Sequence, residues 1–234
     1  MAATPYKLCD AILRRLDAVG VLPHVMLIGS WAVYFYRHYF KPGSYQPSIR
    51  TRDMDFLVAW PPPRMAQSVD LPREMADLDF VTGYRGEEGY MILQHPDLLL
   101  EFLVPERGRG GNKAVPLPQL GVNAQPLRYL DMLLENAITV RYEYLSLRLP
   151  HPARFGLHKL LVAGRRRVAA KADKDRNEAR KVLAALDTAG EWSTVPACLQ
   201  RLPAKWRTAI AKQATLADLD RIVALCKSTG GLSP

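Results

Sequence analysis

Cysteine is scarce in this chain. Cys9, Cys198 and Cys226 are the three in 234 residues, far apart and without C-x-x-C spacing, so a zinc cage or a disulfide framework is disfavoured and buried free thiols are expected. Long apolar runs are missing too. None reaches the roughly 18 residues a spanning helix needs, and charges interrupt the apolar pattern of residues 1–16, unlike a secretory leader. No membrane is expected as a partner, and the cytoplasm is the expected compartment. Internal repeats and low-complexity tracts do not occur. Acidic residues are the minority charge, 23 Asp and Glu against 32 Lys and Arg, for a net charge of +9. Such an excess attracts polyanions over long range, which favours RNA or a nucleotide as partner.

What remains is an ordinary globular composition, 48% hydrophobic and 24% charged, with length for one large or two modest cores. Its most informative stretch is Arg52-Asp53-Met54-Asp55-Phe56-Leu57-Val58. Met54, Phe56 and Val58 alternate with Asp53, Asp55 and Leu57, so a strand puts both carboxylates on one face, about 7 Å apart. Two adjacent carboxylates repel and are costly to desolvate, and a divalent cation, usually magnesium, relieves both problems. The same pair is the skeleton of a two-metal phosphoryl-transfer site. Read alone, a D-x-D is equally a pair of solvated aspartates at a strand start.

Upstream, the apolar run ending in Ile28 meets Gly29-Ser30 and then Trp31 to Tyr36, which reads as strand, tight turn, helix. Glycine permits close backbone approach, serine is a good N-cap, and helix N-terminal amides attract anions. Gly29 and Ser30 are therefore candidates for holding terminal phosphates, with a plain capping turn as the alternative.

Taken together, strand-Gly-Ser-helix followed by strand-Asp-x-Asp resembles the nucleotidyltransferase superfamily of the DNA polymerase β type. The likeness is most detailed to bacterial nucleotidyltransferase-like proteins with G-S-W-A-x-Y-F-Y and R-T-x-D-x-D-F-L-V elements, which Gly29–Tyr36 and Arg50–Val58 match. The resemblance implies that Gly29 and Ser30, with Arg52 beside them, bind the NTP, and that Asp53 and Asp55 bind magnesium. The segment from His38 to Arg50 is longer than the compact motif allows and suggests an inserted active-site loop.

Further along, residues 64–78 read as a helix interrupted at Pro72, and residues 80–84 and 90–94 as a hairpin whose tip carries Glu87 and Glu88. Asp97 to Val104 reads as an apolar strand with one carboxylate at its centre. Glu101 then needs a cation, a hydrogen-bond network or an edge position. In the superfamily it stands where the third carboxylate falls, as metal ligand or as base for the acceptor hydroxyl. Arg107 to Lys113 is a glycine-rich basic loop that either closes over phosphates or stays a solvated surface loop. Leucines at 127, 130, 133 and 134 predict a helix over 126–135, and 138–142 with 144–149 a second hairpin.

Pro150 and Pro152 mark the expected boundary between a nucleotidyltransferase domain at 1–150 and a helical domain at 151–234. Helices are expected at 153–163, 169–189, 195–201, 206–214 and 217–227. This half resembles, more loosely, the nucleotidyltransferase toxins of type IV toxin–antitoxin systems, where a helix lysine and a downstream aspartate complete the site. Lys159 and Asp175 match that order, which implies catalytic roles for both and a nucleotide contact for Lys159. A snorkelling lysine and a solvated aspartate are the alternatives. His158 reads as a packing residue, and Arg165-Arg166-Arg167 with Lys171 and Lys174 as an RNA-contacting patch or a basic helix end.

The expected fold class is thus α+β, a mixed sheet followed by helices, with the site in the cleft between the halves. The expected chemistry is magnesium-dependent transfer of NMP from an NTP to a hydroxyl. RNA, with a tRNA 3′ end as one case, is the preferred acceptor, a protein hydroxyl is another, and an antitoxin is a possible partner. The competing readings are a non-catalytic RNA-binding or antitoxin-paired protein on the same scaffold, and a D-x-D glycosyltransferase.

Overall fold

The computed structural model describes residues 5–47, 51–108 and 111–228. It divides into two compact units, one drawn from the stretches 5–38 and 47–150 and the other from 39–46 and 151–228.

In the first unit, α1 (Pro5–Ala18) buries Leu8, Ile12, Leu13 and Leu16 at helical spacing. After it come β1 (Val25–Ile28), α2 (Gly29–Phe35), β2 (Asp53–Val58), α3 (Leu71–Glu74), β3 (Val81–Arg85), β4 (Tyr90–Gln94) and β5 (Leu99–Pro105). β6 (Val115–Leu117), β7 (Val122–Leu127), α4 (Asp131–Leu134), β8 (Ile138–Tyr142) and β9 (Leu145–Leu149) complete it. Among the described residues the main sheet runs β1-β2-β5-β4-β3, with β7 on β5 and β6 on β7, while β8 and β9 form a separate hairpin. The β2–β5 and β5–β7 pairs are parallel and the rest antiparallel.

The two faces of this sheet follow from strand alternation. Met54, Phe56, Leu100 and Phe102 fill one face at 3% exposure or less, and the Phe56 and Phe102 rings stack at 5.8 Å. On the other face Met26, Ile28, Leu57 and Leu103 pack with Leu130 and Leu133. That second face carries Asp53, Asp55 and Glu101 on the same strands, so it is apolar at one end and acidic at the other.

Two expected helices come out shorter than the sequence pattern suggests. Residues 64–78 hold only α3 and a 3-10 turn at Ala76–Leu78. Asp70 caps the Arg73 amide at 3.3 Å, Pro72 sits in the first turn, and Asp79 stops the run with φ of 61°. The 126–135 helix shrinks to α4, because Leu127 ends β7 and Tyr129, at φ of 70°, turns the chain between them. The leucine spacing was real, but it serves a strand end and a short helix packed on one cluster.

The second unit is helical: α5 (Pro152–Ala163), α6 (Ala169–Thr188), α7 (Thr194–Gln200), α8 (Ala204–Thr215) and α9 (Asp220–Ser228). α5 is buried along nearly its whole length. It touches α6 so closely that a Cβ on Gly156 would lie 2.6 Å from Leu183 Cγ. Residues 39–46, from the expected inserted loop, belong to this unit, where Tyr39 bonds Glu191 and the Phe40 and Tyr45 rings meet at 5.1 Å. Residues 48–50 of that loop, with Arg50 of the motif, lie outside the described residues, as do Arg109 and Gly110. All three cysteines are buried and none is in a disulfide. No described helix is long and apolar enough to cross a membrane.

Candidate active site

Strand register assembles the acidic end of the sheet. In the parallel β2–β5 pair, Asp53 lies opposite Leu99 and Asp55 opposite Glu101, which puts the three carboxylates on one face in adjoining rows. In the antiparallel β1–β2 pair, Asp55 faces Ile28, the residue before Gly29. The Gly29 turn therefore falls beside Asp55. Its φ is 66°, and a Cβ there would stand 2.5 Å from Asp55 Oδ2. Only glycine meets both conditions at once.

Ser30 was expected as the cap of the following helix and is not. Ile28 holds the cap position, and Ser30 lies inside α2 at 8% exposure. Arg52, at the mouth of β2, donates to the His95 carbonyl at 3.3 Å. Arg107, which opens the basic loop, is held by Asp131 at 3.0 Å.

Glu101 resolves into an ion pair that the sequence did not foretell. Arg85, on the edge strand β3, places Nη1 2.6 Å from Glu101 Oε1, with the glutamate side chain 12% exposed and the arginine 49%. Burial pushes the Glu101 carboxyl up and the Asp53 charge adds to this, while Arg85 pulls the other way without cancelling it. No sequence signal marked Arg85 as its partner; register alone puts β3 two strands from β5 with Arg85 on the Glu101 face.

The carboxylates fit magnesium by their chemistry, since hard divalent cations take oxygen donors. Among the described residues no three His, Cys, Asp or Glu side chains form a ready cage. An apolar cavity of about 250 Å³, lined by Val58, Met65, Leu117 and Leu120 among others, opens at the opposite end of β2 and has no part in this set.

In the helical unit, Lys159 and Asp175 meet deep inside. Lys159 Nζ lies 2.8 Å from Asp175 Oδ1 and 2.7 Å from Glu178 Oε2, and Arg166 Nε lies 2.7 Å from Asp175 Oδ2. Lys159 is neither snorkelling nor Asp175 solvated. Burial opposes both charges, yet the Lys159 ammonium is held above its usual pKa by Glu178 and Asp175, and the Asp175 carboxyl below its usual one by Lys159 and Arg166. Beside them His158 is buried as expected. Neither ring nitrogen has a hydrogen bond.

A strand–glycine–helix turn set against an Asp-x-Asp strand and a parallel strand with a third acid is the layout of a nucleotidyl-transfer fold. A family model described as "Nucleotidyltransferase" matches residues 7–198, and the chain belongs to that family. No curated protein sequence matches it significantly. Among solved structures, that of ANT(2″)-Ia with adenylyl-2″-tobramycin is similar at 13% identity and a TM-score of 0.48, over 83% of this chain and 96% of that one. A nucleotidyltransferase-like antigen of Paracoccidioides brasiliensis is similar at 14% identity and 0.39, over 86% and 89%. A solution structure of ANT(2″)-Ia gives 12% and 0.44, over 77% and 88%.

Proposed function

We propose that this nucleotidyltransferase moves NMP from an NTP to a hydroxyl in a magnesium-dependent reaction, with RNA as the acceptor. The observation that carries the reading is the register that sets Asp55 against Glu101 on one side and against the Gly29 turn on the other. Asp53 and Asp55 would hold magnesium, which when bound supplies Lewis-acid polarisation of the phosphoryl oxygens and offsets their charge. Gly29 and Ser30 would border the phosphates, and Arg52, one residue before β2, would contact the nucleotide. The Glu101 carboxylate, which burial makes a stronger base, would take the proton of the acceptor hydroxyl as its oxygen bonds to the α-phosphorus and pyrophosphate leaves. Lys159, whose ammonium pairs with Asp175 and Glu178 inside the helical unit, would hold that network together rather than meet the nucleotide.

RNA is favoured as acceptor by the +9 net charge and the exposed run Arg165-Arg166-Arg167. The test is titration calorimetry of wild type and of Asp53→Ala/Asp55→Ala with NTP and magnesium, followed by incubation of each with labelled NTPs and total RNA. Wild type is expected to bind the nucleotide and label RNA, and the double variant to do neither. Equal nucleotide binding by both proteins would remove the proposal.

A further inference from the structure

We infer that the outer strands β3 and β4 form the acceptor's seat, and that Arg85 binds the phosphate next to the reacting hydroxyl while it positions Glu101. This rests on the nucleotidyl-transfer reading above and names the acceptor's chemistry more closely.

Register lays out the seat. On the acidic face, the row through Asp55 and Glu101 continues to Ile92 and Gly83, and the row through Asp53 and Leu99 continues to Gln94 and Val81. Gly83 gives this floor its shape. A Cβ there would collide with Gln94 Nε2, so the missing side chain is what lets the Gln94 amide lie across β3. Beyond it β3 is the sheet edge, and Val81 is 63% exposed. The outer row, Gln94 and Val81, is thus open at the sheet edge with an amide on it, while Ile92, between Glu101 and Gly83, is a buried floor.

Charge decides what the seat accepts. A cationic acceptor would be drawn by the carboxylate row itself and would gain nothing from a positive group at its rim. An anionic acceptor would be repelled by the same row unless a cation offset it, and Arg85, one row on from Gly83, brings its guanidinium to that row at Glu101. One guanidinium nitrogen meets Glu101, and the half-exposed side chain has further donors for a second oxyanion. A phosphodiester beside a terminal hydroxyl supplies such an oxyanion, and its approach leaves the Glu101 carboxylate beside that hydroxyl.

The experiment compares two short RNA oligonucleotides as acceptors, one natural and one carrying a neutral methylphosphonate at its terminal linkage. Proteins are wild type, Arg85→Ala, Arg85→Lys and Gly83→Ala. For wild type the natural acceptor is expected to have the higher kcat/KM by roughly tenfold to a hundredfold, the range for a charge-assisted hydrogen bond. In Arg85→Ala that ratio should fall toward one through KM, and Arg85→Lys should restore part of it. Gly83→Ala, which displaces Gln94, should raise KM for both acceptors and leave the ratio standing. If Arg85 only buttresses Glu101, Arg85→Ala loses activity equally on both acceptors with the ratio unchanged, and the inference is overturned. A wild-type ratio near one overturns it as well. Should wild type bind NTP with magnesium yet extend neither oligonucleotide, RNA is the wrong acceptor and the inference falls with it; failure to bind NTP would instead defeat the reading beneath.

Discussion

Lys159 and Asp175 stand 2.8 Å apart across two helices, with side chains only 11% and 3% exposed. Removing Lys159 leaves two buried carboxylates, Asp175 and Glu178, without their shared cation, which costs about 3–5 kcal/mol. Lys159→Ala is therefore expected to lower unfolding stability by that order, measured by urea denaturation. Lys159→Met/Asp175→Leu/Glu178→Leu should recover much of the loss, because it leaves no orphaned buried ion and Arg166 is half exposed. The Asp175 carboxyl is held below its reference of 3.8, so its contribution is present above that pH and disappears as pH falls through the lower folded value. Lys159 is held above 10.5, so its contribution is present below that pH and disappears only as pH rises through the higher folded value. Between pH 4 and 10 the pair should be insensitive to pH.

His158 behaves in the opposite sense. Burial, reinforced by Lys159 and Arg166 against the Asp175 charge, pushes its pKa down to about 3. The folded chain keeps this ring neutral while the unfolded chain protonates it below about 6.5. Stability should accordingly fall as pH drops from 6.5 toward 3, by about 1.4 kcal/mol per unit from this group alone. Since neither nitrogen has a protein partner, His158→Leu removes no hydrogen bond and should be neutral or stabilising at pH 7. Urea midpoints across that pH range check it, and an undiminished acid slope in His158→Leu would show that another group is responsible.

Asn123 ties β7 to the start of β4, accepting from the Met91 amide at 2.8 Å and donating to the Gly89 carbonyl at 3.0 Å. Asn123→Ala strands both backbone groups and should cost about 1–3 kcal/mol. Asn123→Asp keeps the acceptor and loses the donor, so it should fall between alanine and wild type. Hydrogen exchange at the Met91 amide reads the contact directly and should accelerate in the alanine variant first.

How much of this was written in the sequence depends on the range of the interaction involved. Asp53, Asp55 and the Gly29 turn were legible because alternation and glycine chemistry act within a few residues, and the parallel partner Glu101 stood out as one acid in an apolar strand. The burial of Asp175 was also available, unused. It occupies the apolar stripe of α6 that runs Ala172, Asp175, Ala179, Val182 and Leu186, and a charge in such a stripe demands a partner. Arg85, Glu178 and Arg166 were not legible as partners, because only register and helix packing bring them to Glu101, Lys159 and Asp175. The helix expected over 126–135 keeps only Asp131–Leu134 for a similar reason: pairing of Gln125–Leu127 with β5 overrode the helical leucine spacing there.

Gly29 separates the backbone and site roles of the turn. Alanine there must adopt φ of 66° and must also push Asp55 Oδ2 away from 2.5 Å. The first demand costs about 1–2 kcal/mol of stability, and the second moves a carboxylate assigned to magnesium. Gly20 supplies the control, since its φ is 73° but nothing lies within 4 Å of a Cβ placed on it. Gly29→Ala and Gly20→Ala should both lower stability by this order, whereas only Gly29→Ala should weaken magnesium-dependent NTP binding, by tenfold or more if a charged contact is lost. Thermal unfolding and calorimetry on the two variants decide the matter. Equal nucleotide binding by both would mean that the Asp55 carboxylate tolerates displacement, and that its closeness to the glycine is a packing detail with no bearing on the metal.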